Sequence, residues 1–369
     1  MFSLEADTAL PHGKGRYWDY RVAPSTIPTR RASGKQLSRT NRPVPMTRLT
    51  HPNDLPHIAK LKLPMFSTRE KRTGSGLLCA TLLGLLSLAI PLRAQQNSAP
   101  EISAAELVRQ TVANEIQAAS DTSHKHLFRS RKQMPRGSQT RLYVETNDSM
   151  AGMTIAHNDQ PLTAQQQKAE QDHLAWLAGS PEQLRKKHAR EKDDEDRTLR
   201  VLRALPDAFR YEYQGDETGA PGLGKTGDPL KKLKFTPNPS YSPPTRVEQV
   251  LQGMKGYLLI DAAAHRIAAI EGTLFRDVTF GWGFIGHLDK GGHFRVQQAD
   301  VGDGSWELTS MSLRMTGKIL LFRGLSITTD EVFSDFQQVP ADLPFSKGVD
   351  LLKAEQQKLA HEAESQAER

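Results

Sequence analysis

The chain has 369 residues, with 49 Lys+Arg against 42 Asp+Glu, 12 His and one Cys. That length allows roughly two or three domains. A single Cys excludes a disulfide scaffold or a cysteine-cluster metal site, and 25% charged residues with a mean hydropathy of −0.55 exclude a polytopic membrane protein.

The charge is unevenly placed. Residues 1–94 hold 15 basic and 5 acidic side chains, whereas residues 95–369 hold 34 and 37. The basic character therefore belongs to the N-terminal segment, and no basic stripe interleaved with aromatics marks a nucleic-acid partner. Residues 1–64 are rich in Pro, Arg and Thr, lack apolar periodicity and read as disordered. Met65 opens MFSTREKRTGSGLL, a basic start to the charge-free run GLLCATLLGLLSLAIPL at 76–92, and LRA then ends at Ala94. A basic segment, an apolar core and a closing small residue describe a secretory signal peptide. The expectation is translation from Met65, with 1–64 a gene-start error, then cleavage near Ala94 and a periplasmic or otherwise exported domain over 95–369. The alternative is an inner-membrane anchor over 76–92, at the short limit for a span. Cys79 follows Leu78 and precedes most of the apolar run, which argues against lipoprotein processing. Removal of 1–94 leaves no thiol, in a compartment poor in ATP.

Ser103-Ala-Ala-Glu106 is a capping box for a helix to about Ser120. HLFRSRKQ and TRLYVETND read as strands around the turn Pro135-Arg-Gly137, and MTIAHNDQPL continues them through an Asn158-Asp159 turn. Thr163-Ala-Gln-Gln166 opens a second helical region that breaks at Gly179 and restarts at Ser180-Pro181. This insertion, 163–205, becomes almost wholly charged. Lys187 with Glu191 and Lys192 with Asp196 are spaced to pair along a helix, which reads as a solvated projection or, as an alternative function, the docking element of an envelope interaction or sensor domain for a protein partner at 182–205.

From Phe209 to about Val339 short strands follow one another: FRYEYQG, LKKLKFTP, RVEQVLQ, GYLLID, HRIAAIEGTLFR, GHFRVQQADV, SWELTSMSLRMTG and KILLFRGLSITTDEVFSDF. Short turns and no long crossovers mean an antiparallel meander. The predicted class is α+β: a curved antiparallel half-barrel with an N-terminal helix, an inserted charged helical hairpin and a C-terminal helix from Gly348.

GAPGLGKT at 219–226 matches the phosphate-loop pattern literally at Gly219, Gly224, Lys225 and Thr226. That loop works when a buried strand delivers it and a helix N-terminus follows. Here YEYQGDET precedes it and the strand-like LKKLKF follows, so the expectation is a glycine-rich hairpin loop without nucleotide or other cofactor. His287, Asp289 and His293 lie close in GHLDKGGH, but three glycines favour a plain turn over a metal site. His124 and His126 receive the same reading. No GxSxG elbow marks a nucleophile.

GYLLIDAAAHRIAAIEG resembles the structural hairpin of the LolA/LolB-type lipoprotein-carrier superfamily, with Gly256, Asp261 and Glu271 in the distinctive places. DVTFGWGFIGHLDKGG and the strands after it resemble exported proteins of that fold. The resemblance implies an apolar cavity for acyl chains between the sheet and its helices, and hence a non-enzymatic carrier of a lipid or lipid-modified ligand with transient membrane contact. GYLLID and ILLFRGL are apolar on both faces, so each strand covers a core on both sides or lines a pocket on one. The predicted cavity positions are Leu258, Ile260, Phe275, Trp282, Phe284, Leu320 and Phe322.

Overall fold

The computed structural model describes residues 102–280, 286–319 and 323–367. Residues 1–94, Trp282, Phe284, Leu320 and Phe322 lie outside the described residues. Among the described residues no helix is long and apolar enough to cross a membrane.

Helix α1 (Ala104–Ala119) starts where the Ser103 hydroxyl accepts the Glu106 N–H at 3.2 Å. Strands β1 (Lys125–Met134), β2 (Gly137–Val144), β3 (Ala151–His157) and the short β4 (Gln160–Pro161) form the first meander. Asn158 and Asp159 both adopt positive φ, 52° and 60°, which is the backbone a tight two-residue hairpin requires. Helices α2 (Ala164–Ala178) and α3 (Pro181–Ala208) follow, the first from the Thr163/Gln166 capping box. Next come β5 (Phe209–Thr218), β6 (Pro229–Pro237), α4 (Arg246–Gln249), a 3₁₀ turn at Val250–Gly253, β7 (Met254–Asp261), β8 (Arg266–Leu274), β9 (Val278–Phe280), β10 (Gly286–Leu288), β11 (His293–Asp300), β12 (Trp306–Ile319), β13 (Arg323–Val339) and α5 (Phe345–Ala367).

RVEQVLQ is therefore helical, against the expected strand. Its signal is Thr245-x-x-Glu248: the Glu248 carboxylate accepts the Thr245 N–H at 2.9 Å, a local start signal that outweighs the β-preference of its two valines.

All strands belong to one open antiparallel sheet, ordered β4-β3-β2-β1-β13-β12-β11-β8-β7-β6-β5, with β10 beside β12 and β9 beside β10. The α+β class and the open, curved antiparallel sheet agree with the sequence. The two ends of the main strand order are guarded against pairing with another chain. At one, β4 is two residues long and contains Pro161; at the other, Glu212, Asp216 and Glu217 of β5 pair with Lys234, Lys231 and Lys232 of β6.

Alternation sorts the core. Leu258 and Ile260 of β7 enter one cluster with Leu107 and Val108 of α1 and Leu202 and Leu205 of α3, while Leu259 points the other way, against Leu230, Ala269 and Trp306. Register carries the face of α1 and α3 from Leu313 to Thr329, Glu331 and then Ser130 on β1. Leu127, Leu142 and Met153 lie on the reverse face, where Leu174 of α2 and Phe345, Val349 and Leu352 of α5 cover them. The two helical layers thus sit on opposite faces at opposite ends of the sheet. Helix α3 links them: Leu184 packs beside the second layer, Glu191 accepts from the Ser149 hydroxyl at 2.6 Å and the Met150 N–H at 3.2 Å, and Val201–Ala208 supplies the first layer. The expected i,i+4 pairs Lys187–Glu191 and Lys192–Asp196 form, but the helix is also a brace: Glu191 binds the body of the domain and the last turns are buried.

Candidate functional site

The β7–β8 hairpin is fastened from within and from α1. Asp261 is fully buried, and its carboxylate accepts the N–H groups of Ala263 and Ala264 at 3.0 and 2.9 Å. Two residues of α1 grip the same turn. The Asn114 amide donates to the carbonyls of Ala264 and His265 at 3.2 and 3.3 Å. Glu115 accepts from Arg266 Nε at 3.1 Å and from the Ile267 N–H at 2.6 Å, with both charged side chains buried. Burial pushes the Glu115 carboxyl up, against the opposing pull of Arg266 and the Ile267 N–H. A Cβ at Gly256 would lie 1.9 Å from the Glu271 carbonyl oxygen, so only glycine fits where β7 crosses β8. Glu271 is half-exposed, 3.8 Å from Arg295. Gly256 and Asp261 therefore build the scaffold.

Leu258 and Ile260 are 1% and 0% exposed inside the helix-covered core. Each adds about 1.5–3 kcal/mol of burial to folding, and at their positions the sheet is filled by α1 and α3. Phe275 lies just past β8, half-buried, with Lys255 and Arg276 over its ring at 6.0 and 5.6 Å. Lys255 alternates to the face opposite Met254 and Leu258. On the helix-covered face Leu274, Leu288 and Met315 are buried, and Phe280, Leu325 and Ile327 packed on the same cluster are only partly covered. The same sheet end joins Phe280 to Gly286, Gly286 to Ile319 and Ile319 to Arg323. The flanks of the two segments that contain Trp282 and Phe284, and Leu320 and Phe322, are thereby neighbours, which their separation in sequence does not reveal.

The phosphate-loop look-alike folds back onto the sheet. Gly224 donates its N–H to the Gln298 carbonyl at 2.8 Å and accepts the Asp300 N–H at 3.3 Å, and the Thr309 hydroxyl donates to the Gly222 carbonyl at 2.6 Å. Gly219 and Leu223 donate to Asp228 and Ala220 within the loop. These amides are spent on protein carbonyls, no helix follows, and Lys225 and Thr226 point to solvent. The arrangement does not form a phosphate cradle. Between Pro221–Gly222 and strands β11–β13 it leaves an open groove of about 450 Å³.

A buried polar cluster lies behind one end of this groove, and the sequence did not single it out. His126 Nε2 is 2.8 Å from Asp303, its Nδ1 is 3.1 Å from Glu307 and 3.9 Å from Glu145, and its backbone N–H donates to Glu145 at 2.7 Å. Nδ1 and Glu307 Oε1 are close but form no hydrogen bond. Burial pushes the Asp303 carboxyl up, but hydrogen bonds from His126 and Ser305 and the imidazole charge outweigh it and bring it down to about 2. The signal available was a His alternating into the sheet beside Asp-Gly-Ser turn residues, yet the partner carboxylate lies 177 residues away. His287 instead pairs with Asp289 at 3.1 Å, and His293 approaches Glu271 at 4.0 Å. Among the described residues no group of three or more His, Cys, Asp or Glu is arranged to hold a metal.

No protein-family model matches the sequence, and no curated protein matches it significantly. Two solved structures overlap it distantly. A domain from Vibrio parahaemolyticus described as an outer membrane lipoprotein-sorting protein has a TM-score of 0.23 at 12% identity, covering 63% of this chain and 91% of that one. A DUF1329 family protein from Desulfovibrio piger has a TM-score of 0.23 at 10% identity, covering 63% and 90%.

Proposed function

We propose that the chain is an exported, non-enzymatic binding or carrier protein for a lipid or acylated ligand, acting in the periplasm. The supporting observation is the apolar rim at the β9–β10 and β12–β13 end of the sheet. Phe280, Leu325 and Ile327 are partly exposed continuations of a face that is otherwise sealed by helices. An apolar face that stops being covered at one end offers acyl chains an entry. Transfer of this kind needs no covalent chemistry, only an affinity that a membrane or partner can outcompete.

The test is native mass spectrometry with solvent extraction on the full chain exported by a bacterial host. A lipid mass near one per chain, lost in Ile327→Lys, supports the proposal. A ligand-free folded protein that also fails to bind added dodecanoate refutes it.

A further inference from the structure

The open groove between the β5–β6 loop and β11–β13 has a lining unlike that of the apolar rim. We propose that it is a second binding site, for a neutral saccharide. Its volume of about 450 Å³ falls within the roughly 300–1,000 Å³ of small-ligand sites. Val332 and Pro221 give it an apolar wall, whereas the rings of Phe333 and Phe336 turn to Phe128 on the other face, and Val332 is 54% exposed although it is aliphatic. Such a wall suits the C–H face of a pyranose ring. Around it are hydrogen-bonding groups held in fixed directions, with Ser310 and Gln297 following Val332 across the strands on one sheet face. The Ser310 hydroxyl donates to Gln297 Oε1 at 2.7 Å, which turns the Gln297 amide so that Nε2 remains as a donor. The Thr309 hydroxyl donates its proton to the Gly222 carbonyl at 2.6 Å, leaving its oxygen as an acceptor. Asp300 accepts the Gly302 N–H through Oδ1 at 2.8 Å, leaving Oδ2 as a second acceptor.

One donor and two acceptors around an apolar wall match a hydroxyl-bearing ring, whose O–H groups both donate and accept. The lining contains no Lys or Arg and one carboxylate, so phosphate, carboxylate and anionic lipid head groups are disfavoured by charge. A bare acyl chain would strip water from Gln297 and Asp300 without replacing their hydrogen bonds, at a cost of about 1–3 kcal/mol for each group. The walls are also fixed before any ligand arrives. The Gly224–Gln298 and Asp300–Gly224 backbone bonds hold the loop, and the His126–Asp303 contact holds the β11–β12 turn. A fixed wall lowers the ordering cost of binding. None of these groups belongs to the rim, so the two sites stand or fall separately.

The test is isothermal titration of the full exported chain with maltotriose, cellotriose and tri-N-acetylchitotriose, alongside dodecanoate. The site predicts that at least one trisaccharide binds, that Gln297→Ala weakens it by about tenfold, and that Val332→Arg abolishes it. Val332 is exposed, so its replacement tests the groove without disturbing the core, and circular dichroism checks that both variants fold. Failure of all three sugars to bind the folded protein overturns the proposal. So does binding that both variants leave unchanged, or displacement of the sugar by dodecanoate. Loss of dodecanoate binding alone, with sugar binding intact, refutes the carrier reading and leaves this one standing.

Discussion

Glu115→Ala tests whether α1 is an integral part of the sheet's packing or a detachable cover. The substitution removes the acceptor of the Ile267 N–H and the partner of Arg266, both in a site with almost no exposure. Removing one member of a buried ion pair strands the other charge and costs about 3–5 kcal/mol. For a domain of this size about 2–4 °C of melting temperature follows each kcal/mol, so the expected fall is about 6–20 °C. Glu115→Gln keeps an oxygen for the Ile267 N–H and is expected to fall less. Glu115→Leu combined with Arg266→Met removes both charges and keeps the volume filled, so it is expected to recover most of the loss. Calorimetric melting of the four proteins is the assay. The raised Glu115 carboxyl adds a pH signature: its folded value lies above its unfolded value of 4.5, so the native state binds the extra proton. The wild type therefore loses stability relative to Glu115→Gln as pH rises through that window. A Glu115→Ala protein that melts within about 2 °C of wild type would show that α1 contributes little to the cooperative unit.

Three further outcomes are expected. Asp303 is held below its unfolded carboxyl value, down to about 2; its stabilisation is present above the unfolded value and is lost as pH falls through the folded one. The difference in urea midpoint between wild type and Asp303→Asn should thus be clear at neutral pH and vanish near pH 2, whereas an equal difference at both would contradict the His126 contact. Thr163→Ala removes the start of α2, where the hydroxyl accepts the Gln166 N–H at 3.3 Å; a loss of about 1 kcal/mol is expected in denaturant titration. Lys225→Ala should leave stability within about 0.5 kcal/mol of wild type, and ATP should not shift the melting temperature of either protein, because the loop amides are already bonded to carbonyls.

Much of the fold is legible locally. The N-cap at Ser103 and the capping box at Thr163, the paired positive-φ turn at Asn158–Asp159 and the strand alternation of GYLLID all act within a few residues, so one-dimensional reading finds them. RVEQVLQ shows the limit: its valines favour a strand, and the weaker-looking Thr245/Glu248 pair decides otherwise. The cavity positions show a second limit. Leu258 and Ile260 have the composition of a pocket wall and of a filled core alike, and only the placement of α1 and α3 distinguishes them.

By itself, then, the sequence determined the class of the domain, an antiparallel meander with helices at its start, middle and end, because hydrophobic period and turn chemistry are local properties. It also argued against the nucleotide reading of GAPGLGKT, since the residues on either side do not have the pattern of the strand and helix that such a loop needs. Only the tertiary structure decided that the two helical layers occupy opposite faces of the sheet, and that α3 braces them. It alone brought His126 to Asp303, closed Glu115 onto Arg266 and opened the groove beside Gly222. Those contacts join residues 87 to 177 positions apart, and their formation depends on strand order and register, which no short stretch of sequence encodes.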